Sequence, residues 1–342
     1  MTDLFKQFSH DMLPALEQEM QKVLQVNQES KPDAFYGMMH YHMGWADPKL
    51  NPTVVKSGKR IRPLSCLIST QAAGGQWEQA LPAAAAIELL HNFSLIHDDI
   101  EDVSPTRRGR KTVWKIWGIN QAINSGDSMF ALAHLSMNYL IERGVDAKIV
   151  VQALRRFDET CVHLTQGQHF DMDFETRNHV SVDEYVAMIT GKTAVLLALC
   201  SELGALIAGA EPDIVRHYHQ FGRSLGLAFQ IIDDILGIWG DENLTGKSAA
   251  TDILTKKKTF PVLYGLSQSQ EIQTLYANEE PNDSFVTNVV KLLNQNGAYD
   301  YAKEAAITHS QNALSHLKAA QPQGQAGTAL FELANMLLKR DF

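Results

Sequence analysis

Apolar residues recur at three- and four-residue spacing along most of the chain, the mark of helices that bury one face. Residues 119–144, INQAINSGDSMFALAHLSMNYLIERG, keep this spacing up to a closing glycine. The stretches 149–168, 192–210 and 213–241 follow the same rule, and 274–297 and 328–342 close the series. Residues 81–102, LPAAAAIELLHNFSLIHDDIED, are rich in Ala and Leu, with no proline after Pro82. Several stretches are apolar nearly all round, which predicts burial on many sides. No run alternates with period two between turn signals, so strands are not expected. The pattern predicts an all-α bundle in which outer helices wrap central ones. Loops rich in Pro, Gly or small polar residues are expected at 43–59, 104–111, 241–252 and 319–327.

Composition narrows the class. At 45% hydrophobic and 20% charged, the 342 residues can bury a sizeable core. A net charge of −9 argues against a surface that grips nucleic acid, which needs a basic face. Cys66, Cys161 and Cys200 are far apart and form no CxxC pattern, so a reducing, cytoplasmic setting is expected. The N-terminus lacks a signal-peptide core, and no apolar run is expected to reach the length needed to span a bilayer.

Two acidic segments stand out. In SLIHDDIED, Asp98 and Asp102 lie at i and i+4 on one helical face, with Asp99 beside them. Like charges at this spacing repel unless a cation sits between them. In FQIIDDILGIWGD, Asp233 and Asp234 emerge from an apolar helix, where an unpaired charge is costly. Asp241 is expected in a turn. Two acidic pairs on separate helices suit a metal clamp for a polyphosphate, since Mg²⁺ takes one or two carboxylates and keeps water and phosphate oxygens. A di-iron bundle would need Glu-x-x-His on two helices, and ELLH at 88–91 is a single match.

Cations surround these acids. SGKRIRP brings Lys59, Arg60 and Arg62 to a helix entry, and PTRRGRK brings Arg107 and Arg108. TGKT (190–193) and TGKS (245–248) look like the end of a nucleotide-binding loop, but neither has the upstream glycine at the required spacing. TKKKTFP adds Lys256, Lys257 and Lys258, of which at least one is expected to be an ordinary surface lysine. Carboxylate pairs, basic loops and long apolar helices together fit the ionisation of a diphosphate joined to a hydrocarbon.

In this order, GKRIRP, HNFSLIHDDIED, RRGRKTVW, GQHFD, TGKTA and FQIIDDILG…TGKS…D…KKKTFPV resemble the trans-isoprenyl diphosphate synthase (polyprenyl synthetase) family, nearest in type to bacterial geranylgeranyl diphosphate synthases. The likeness is strong over about residues 55–265. It implies the all-α isoprenoid-synthase bundle as one domain over 1–342. Within it, 1–50 would be N-terminal helices at a homodimer contact, 55–265 the catalytic core and 266–342 C-terminal helices. The implied reaction is Mg²⁺-dependent head-to-tail condensation of isopentenyl diphosphate with an allylic diphosphate, with three ions per active site. By the same resemblance Asp98, Asp102 and Asp233 are the metal ligands, with Asp99 and Asp234 completing the two motifs. Arg107, Lys192, Gln230, Lys247 and Lys257 would hold the allylic diphosphate, with Thr193 beside them. Lys59, Arg62, His91 and Arg108 would hold isopentenyl diphosphate, and Gln168 and Asp171 would line the allylic site. His40 and His42 are read as packing or dimer contacts.

The family's second motif usually carries a third aspartate where this chain has Gly237. A glycine inside a helix costs about 1 kcal/mol relative to alanine. An aspartate at 237 would lie one turn from Asp233, and the sequence predicts that it would be accommodated. Phe93 sits five residues before Asp98, roughly 7 to 8 Å deeper along the helix, with small Ser94 next to it. In the family a bulky residue there closes the tunnel, which implies a C20 product, with C15 as runner-up. A terpene cyclase would not need the isopentenyl pocket. A non-catalytic partner subunit would find support only in Gly237.

Overall fold

The computed structural model describes residues 3–26, 32–55, 58–240 and 251–338. Helices follow one another as the periodicity predicts. The first half runs α1 (Asp3–Val23), α2 (Ala34–Met43), α3 (Ile61–Ala72), α4 (Leu81–Glu101), short α5 (Val113–Trp117), α6 (Ile119–Asn138) and α7 (Ala147–Thr176). Then come α8 (Val182–Ile189), α9 (Val195–Ile207) and α10 (Pro212–Trp239). The last part holds one helical turn, α11 (Thr251–Leu254), then α12 (Phe260–Gln268), α13 (Gln270–Asn278), α14 (Asp283–Gln295), α15 (Ala298–Ala319) and α16 (Gly324–Leu338).

The centre is built from α3, α4, α9 and α10. The first half of α4 is almost wholly buried, and its run Ala83–Ala86 lets α3 and α6 approach closely. The buried face of α9 includes Leu199, Cys200 and Leu203, and α10 packs between α9 and α15. Where α9 and α10 cross, the side chain is missing for a reason. A Cβ on Gly222 would lie 2.3 Å from the Leu197 carbonyl oxygen and 2.7 Å from Ala198 Cα.

Three features differ from the sequence expectation. The stretch 274–297 is two helices, because Pro281 interrupts it and Asn282 caps α14 by accepting from the Phe285 amide at 3.0 Å. The connector 319–327 is partly helical, since α16 begins at Gly324. The stretch Val182–Ile207 is long and apolar enough to cross a bilayer by length and composition, with mean hydropathy 1.5. Reading uninterrupted runs missed it because Thr190–Thr193 lie in its middle; 67% of its most apolar window is buried in the bundle.

Gly222→Ala is expected to lower stability by about 1–3 kcal/mol, because the obstacle is backbone that cannot swing aside. Urea titration should show a lower midpoint with an unchanged slope.

Candidate active site

The first acidic segment lies at the C-terminal end of α4. Asp98 is half-buried, Asp99 is buried and Asp102 is exposed just past the last turn, where its amide donates to the Asp98 carbonyl at 2.8 Å. Among the described residues, no side chain hydrogen-bonds or ion-pairs with the carboxylates of Asp98 or Asp102. Burial pushes the Asp98 carboxyl up to about 6; Asp102 and Glu101 add to this, while Lys192 and Arg107 oppose it. Asp99 points elsewhere and accepts from Arg107 Nε at 2.8 Å.

The basic loop after α4 is not plain loop. β1 (Thr106–Arg107) pairs antiparallel with β2 (Arg110–Lys111) in a small hairpin. Its two turn residues, Arg108 and Gly109, have φ of 53° and 74°, the backbone of a tight primed turn. The cations of this hairpin divide by task. Arg110 donates to the carbonyls of Tyr41 at 3.0 Å and Ala46 at 2.9 Å, and lies over the Tyr41 ring, so it anchors the hairpin to the end of α2. Arg107 joins Asp99. Arg108 reaches Gly58, whose Cβ position would be 3.4 Å from Arg108 Nη2.

Around Arg108 lies a strongly cationic pocket. Arg62 Nη1 donates to His91 Nε2 at 3.4 Å, and Arg62 Nε is buried with no acceptor among the described residues. Burial, then Arg62, Arg108 and Arg107, hold the His91 imidazole well below its ordinary value. His42 belongs to this pocket as well. Burial, together with Arg108 and Arg107, lowers it to about 3. Sequence reasoning placed His42 with His40, and nothing in HYH marks which histidine turns inward to the arginines. His40 is a packing residue with its ring 2.7 Å from the Leu24 carbonyl. Lys59 is exposed. Arg60 faces the other way, buried against Glu88 at 2.6 Å and Glu17 at 3.0 Å.

The opposite wall comes from α7, α10 and the π-turn Thr190–Ala194 between α8 and α9. Two glycines set their approach. A Cβ on Gly167 would lie 2.2 Å from the Lys192 amide nitrogen, and one on Gly191 would lie 2.7 Å from the His163 carbonyl oxygen. Their contact aims Lys192 inward, where Nζ donates to Asp171 at 2.5 Å. Burial lowers the ammonium pKa, but Asp171 and Asp98 outweigh that and raise it. Gln168 donates to Glu101 at 2.6 Å and so ties α7 to the end of α4.

On α10, Asp233 is exposed and Asp234 is buried. Asp234 accepts from Tyr185 at 2.6 Å, Gln230 at 3.0 Å and the Phe260 amide at 3.1 Å. Thr193 in turn donates to Gln230 at 3.0 Å. Burial pushes the Asp234 carboxyl up to about 6 despite these donors. The triple lysine also divides. Lys258 donates to the Phe174 and Arg177 carbonyls, each at 2.5 Å, and so caps the end of α7. Lys256 caps α13 through the Tyr276 and Glu279 carbonyls. Lys257 is exposed, with its charge near Asp234. Lys247 and Asp241 lie outside the described residues. Gly237 has a tight neighbour: a Cβ there would be 2.1 Å from Asp252 Oδ2, so a side chain at 237 requires the Asp252 carboxylate to move.

These walls enclose a cavity of about 400 Å³. Arg62, His91, Asp98 and Lys192 line it on the polar side, with Leu164, Leu196 and Phe93 on the apolar side. Ser94 folds its hydroxyl back onto the His91 carbonyl at 2.9 Å, which leaves room beside it. Phe130, which the sequence did not single out, backs the Phe93 ring at 4.9 Å, with His134 4.5 Å behind. A larger outer groove of about 710 Å³ between α7, α9 and α10 holds none of the motif residues; its Arg155, Arg156 and Arg216 are paired with Glu159, Glu202 and Asp213.

A cationic pocket and an acidic pair opening on one apolar cavity are the parts that a diphosphate-ionising enzyme needs, and the family comparison agrees. The family model described as Polyprenyl synthetase matches residues 45–293. The chain belongs to the polyprenyl synthetase family. A geranylgeranyl diphosphate synthase of Mycobacterium tuberculosis is 36% identical over 92% of this chain and 89% of its own length. A (2E,6E)-farnesyl diphosphate synthase of the same organism is also 36% identical, over 89% of this chain and 85% of its own. Among solved structures, a geranylgeranyl pyrophosphate synthetase of Pyrococcus horikoshii superposes with a TM-score of 0.87 at 31% identity, covering 99% of this chain and 98% of that one. Polyprenyl synthetases work with divalent metal ions. The donors here fit such an ion: Asp98 and Asp102 are hard oxygen ligands one helical turn apart that repel one another, with no lysine or arginine bonded to either carboxylate among the described residues. Among the described residues no three ligating side chains converge on one point.

The lysines should separate in experiment. Lys258→Ala should cost about 2 kcal/mol by losing charged hydrogen bonds to carbonyls, seen in urea unfolding. Lys257→Ala should leave that midpoint alone and lower turnover.

His42 gives a pH prediction. Its folded pKa is depressed, so only the unfolded chain takes up the proton near 6.5, and stability is lost as pH falls below that value. Between about pH 7.5 and about pH 5, the parent should lose about 2 kcal/mol relative to His42→Gln. A constant gap between the two proteins would show that His42 is not held neutral.

Proposed function

We propose that this polyprenyl synthetase condenses isopentenyl diphosphate with allylic diphosphates, head to tail, and releases geranylgeranyl diphosphate, C20. The observation that carries this reading is one cavity lined by Arg62 and His91, by Asp98 and Lys192, and by Phe93. Two anionic head groups and one growing tail fit that arrangement.

Asp98 and Asp102 on α4 and Asp233 on α10 would hold Mg²⁺, as many as three ions by family likeness. When bound, the metal withdraws charge from the allylic diphosphate so that it can leave. Lys192 and Lys257 would add positive charge to the same leaving group. Gln230 and Asp234 hold that wall in place through Thr193 and Tyr185. Lys59, Arg62, His91 and Arg108 would seat isopentenyl diphosphate, and the orphaned Arg62 Nε supports an anionic guest. Arg107 would reach the allylic diphosphate while it remains oriented by Asp99. Attack by the isopentenyl double bond on the allylic cation forms the new carbon–carbon bond. The proton lost afterwards goes to the departing diphosphate.

The exposed apolar side chains of α6, Ile119, Ile123 and Leu135, support a homodimer that buries this helix. The free thiols of Cys66, Cys161 and Cys200 support a reducing, cytoplasmic setting. A C15 product is the second reading, favoured by the farnesyl relative.

Purified protein with Mg²⁺, isopentenyl diphosphate and an allylic diphosphate should yield a linear C20 alcohol after dephosphorylation and chromatography. A hydrocarbon product would mean a cyclase, and no turnover would favour a non-catalytic subunit. Phe93→Ala should add one unit, since each buried isoprene gains roughly 3–4 kcal/mol and growth continues to the next obstacle, the Phe130 ring. Unchanged length would remove Phe93 as the floor.

A further inference from the structure

Arg60 stands two residues before Arg62, yet its guanidinium is no part of the cavity wall. It is buried, and Nε donates to Glu17 at 3.0 Å while Nη1 donates to Glu88 at 2.6 Å. Asn92 fixes Glu88 in turn, since its Nδ2 donates to Glu88 Oε1 at 2.9 Å and to the Glu88 carbonyl at 2.8 Å. A buried arginine between two carboxylates is weak evidence for stability, because well-packed apolar side chains often serve as well. The clamp asks for another reason.

The backbone supplies one. Arg60 is left-handed, with φ of 48° and ψ of 35°, and lies at the entry of α3, where its carbonyl accepts from the Leu64 amide at 3.1 Å. Residues other than glycine seldom take this conformation, and it persists where surrounding contacts over-determine it. The bonds to Glu17 and Glu88 are such contacts. Arg62 follows in the first turn of α3, so the direction in which the chain enters that helix sets where Arg62 points. On α4, Glu88 lies three residues before His91 and so on a neighbouring part of the same face. Two rungs therefore join the entry of α3 to α4: Arg60 to Glu88, and Arg62 Nη1 to His91 Nε2 at 3.4 Å.

We propose that Arg60 is a positioning residue for isopentenyl diphosphate: clamped by Glu17 and Glu88, it holds the entry of α3 so that Arg62 and His91 meet the diphosphate together. This rests on the reading above that Arg62 and His91 seat that substrate. Arg60 acts through Arg62 and touches no substrate itself.

The test is steady-state kinetics of the full-length protein with Mg²⁺, varying each diphosphate in turn, beside thermal melting. Arg60→Ala should raise KM for isopentenyl diphosphate about tenfold, since small misplacements of a binding group are costly, and leave KM for the allylic diphosphate within about twofold. Glu88→Gln should move the same constant in the same direction. Both should melt lower, because each takes a partner from a buried charge. Arg60→Met with Glu88→Leu removes the buried pair together, so it should melt close to the parent yet keep the raised constant, and it carries the test if Arg60→Ala does not fold. A parent-like or lower KM for isopentenyl diphosphate in Arg60→Ala or Glu88→Gln overturns the proposal. So does a double variant in which that constant returns together with stability, which would make the clamp purely structural. Arg62→Ala tells which idea has failed. If it too shows a parent-like constant, the seat of isopentenyl diphosphate is misassigned; if it alone raises the constant, only the role of Arg60 is.

Discussion

Asp98 and Asp102 repel one another across one turn of α4, and the fold keeps that repulsion alive. Burial already raises the Asp98 carboxyl, and no lysine or arginine is bonded to either side chain among the described residues. Protein cations are near, yet each is directed elsewhere. Lys192 is engaged by Asp171, Arg107 by Asp99 and Arg110 by backbone carbonyls. A pair of carboxylates held in this way binds a divalent ion more readily than one already neutralised by the protein. In the function proposed above, the energy stored in keeping like charges together would be recovered on metal binding.

Holding charges apart at short range needs backbone placed to a few tenths of an ångström. Glycine provides that here by letting helices touch. Gly167 and Gly191 bring α7 against the π-turn, and this contact decides where Lys192 points. A π-turn inside a helix is itself a frequent sign of a working site, because the extra residue re-aims its neighbours. The hairpin does the same for Arg108. Its primed turn puts Arg108 at positive φ, an uncommon choice for a non-glycine residue, and carries its guanidinium to Gly58.

Polar networks then keep these parts still. The line from Thr193 through Gln230 and Asp234 to Tyr185 joins the π-turn, α10 and α8. The buried Arg60, with Glu17 and Glu88, joins α1 and α4 to the entry of α3, where Arg62 lines the cavity. Residues of one motif thus take different tasks. Of two adjacent aspartates one faces solvent and one is a buried acceptor; of three lysines two cap helices.

The sequence by itself determined the helical class, the two acidic segments, the order of the basic loops and the depth of Phe93 below Asp98. These depend on local spacing, since 3.6 residues per turn decides which side chains share a face whatever surrounds them. The tertiary structure alone decided which cation meets which anion, that His42 joins the arginine pocket, that Phe130 backs Phe93, and that Asp252 lies against Gly237. Each of those pairs comes from elements far apart in the chain. Whether two such residues touch is set by helix packing, and helix packing leaves no period in the sequence to read.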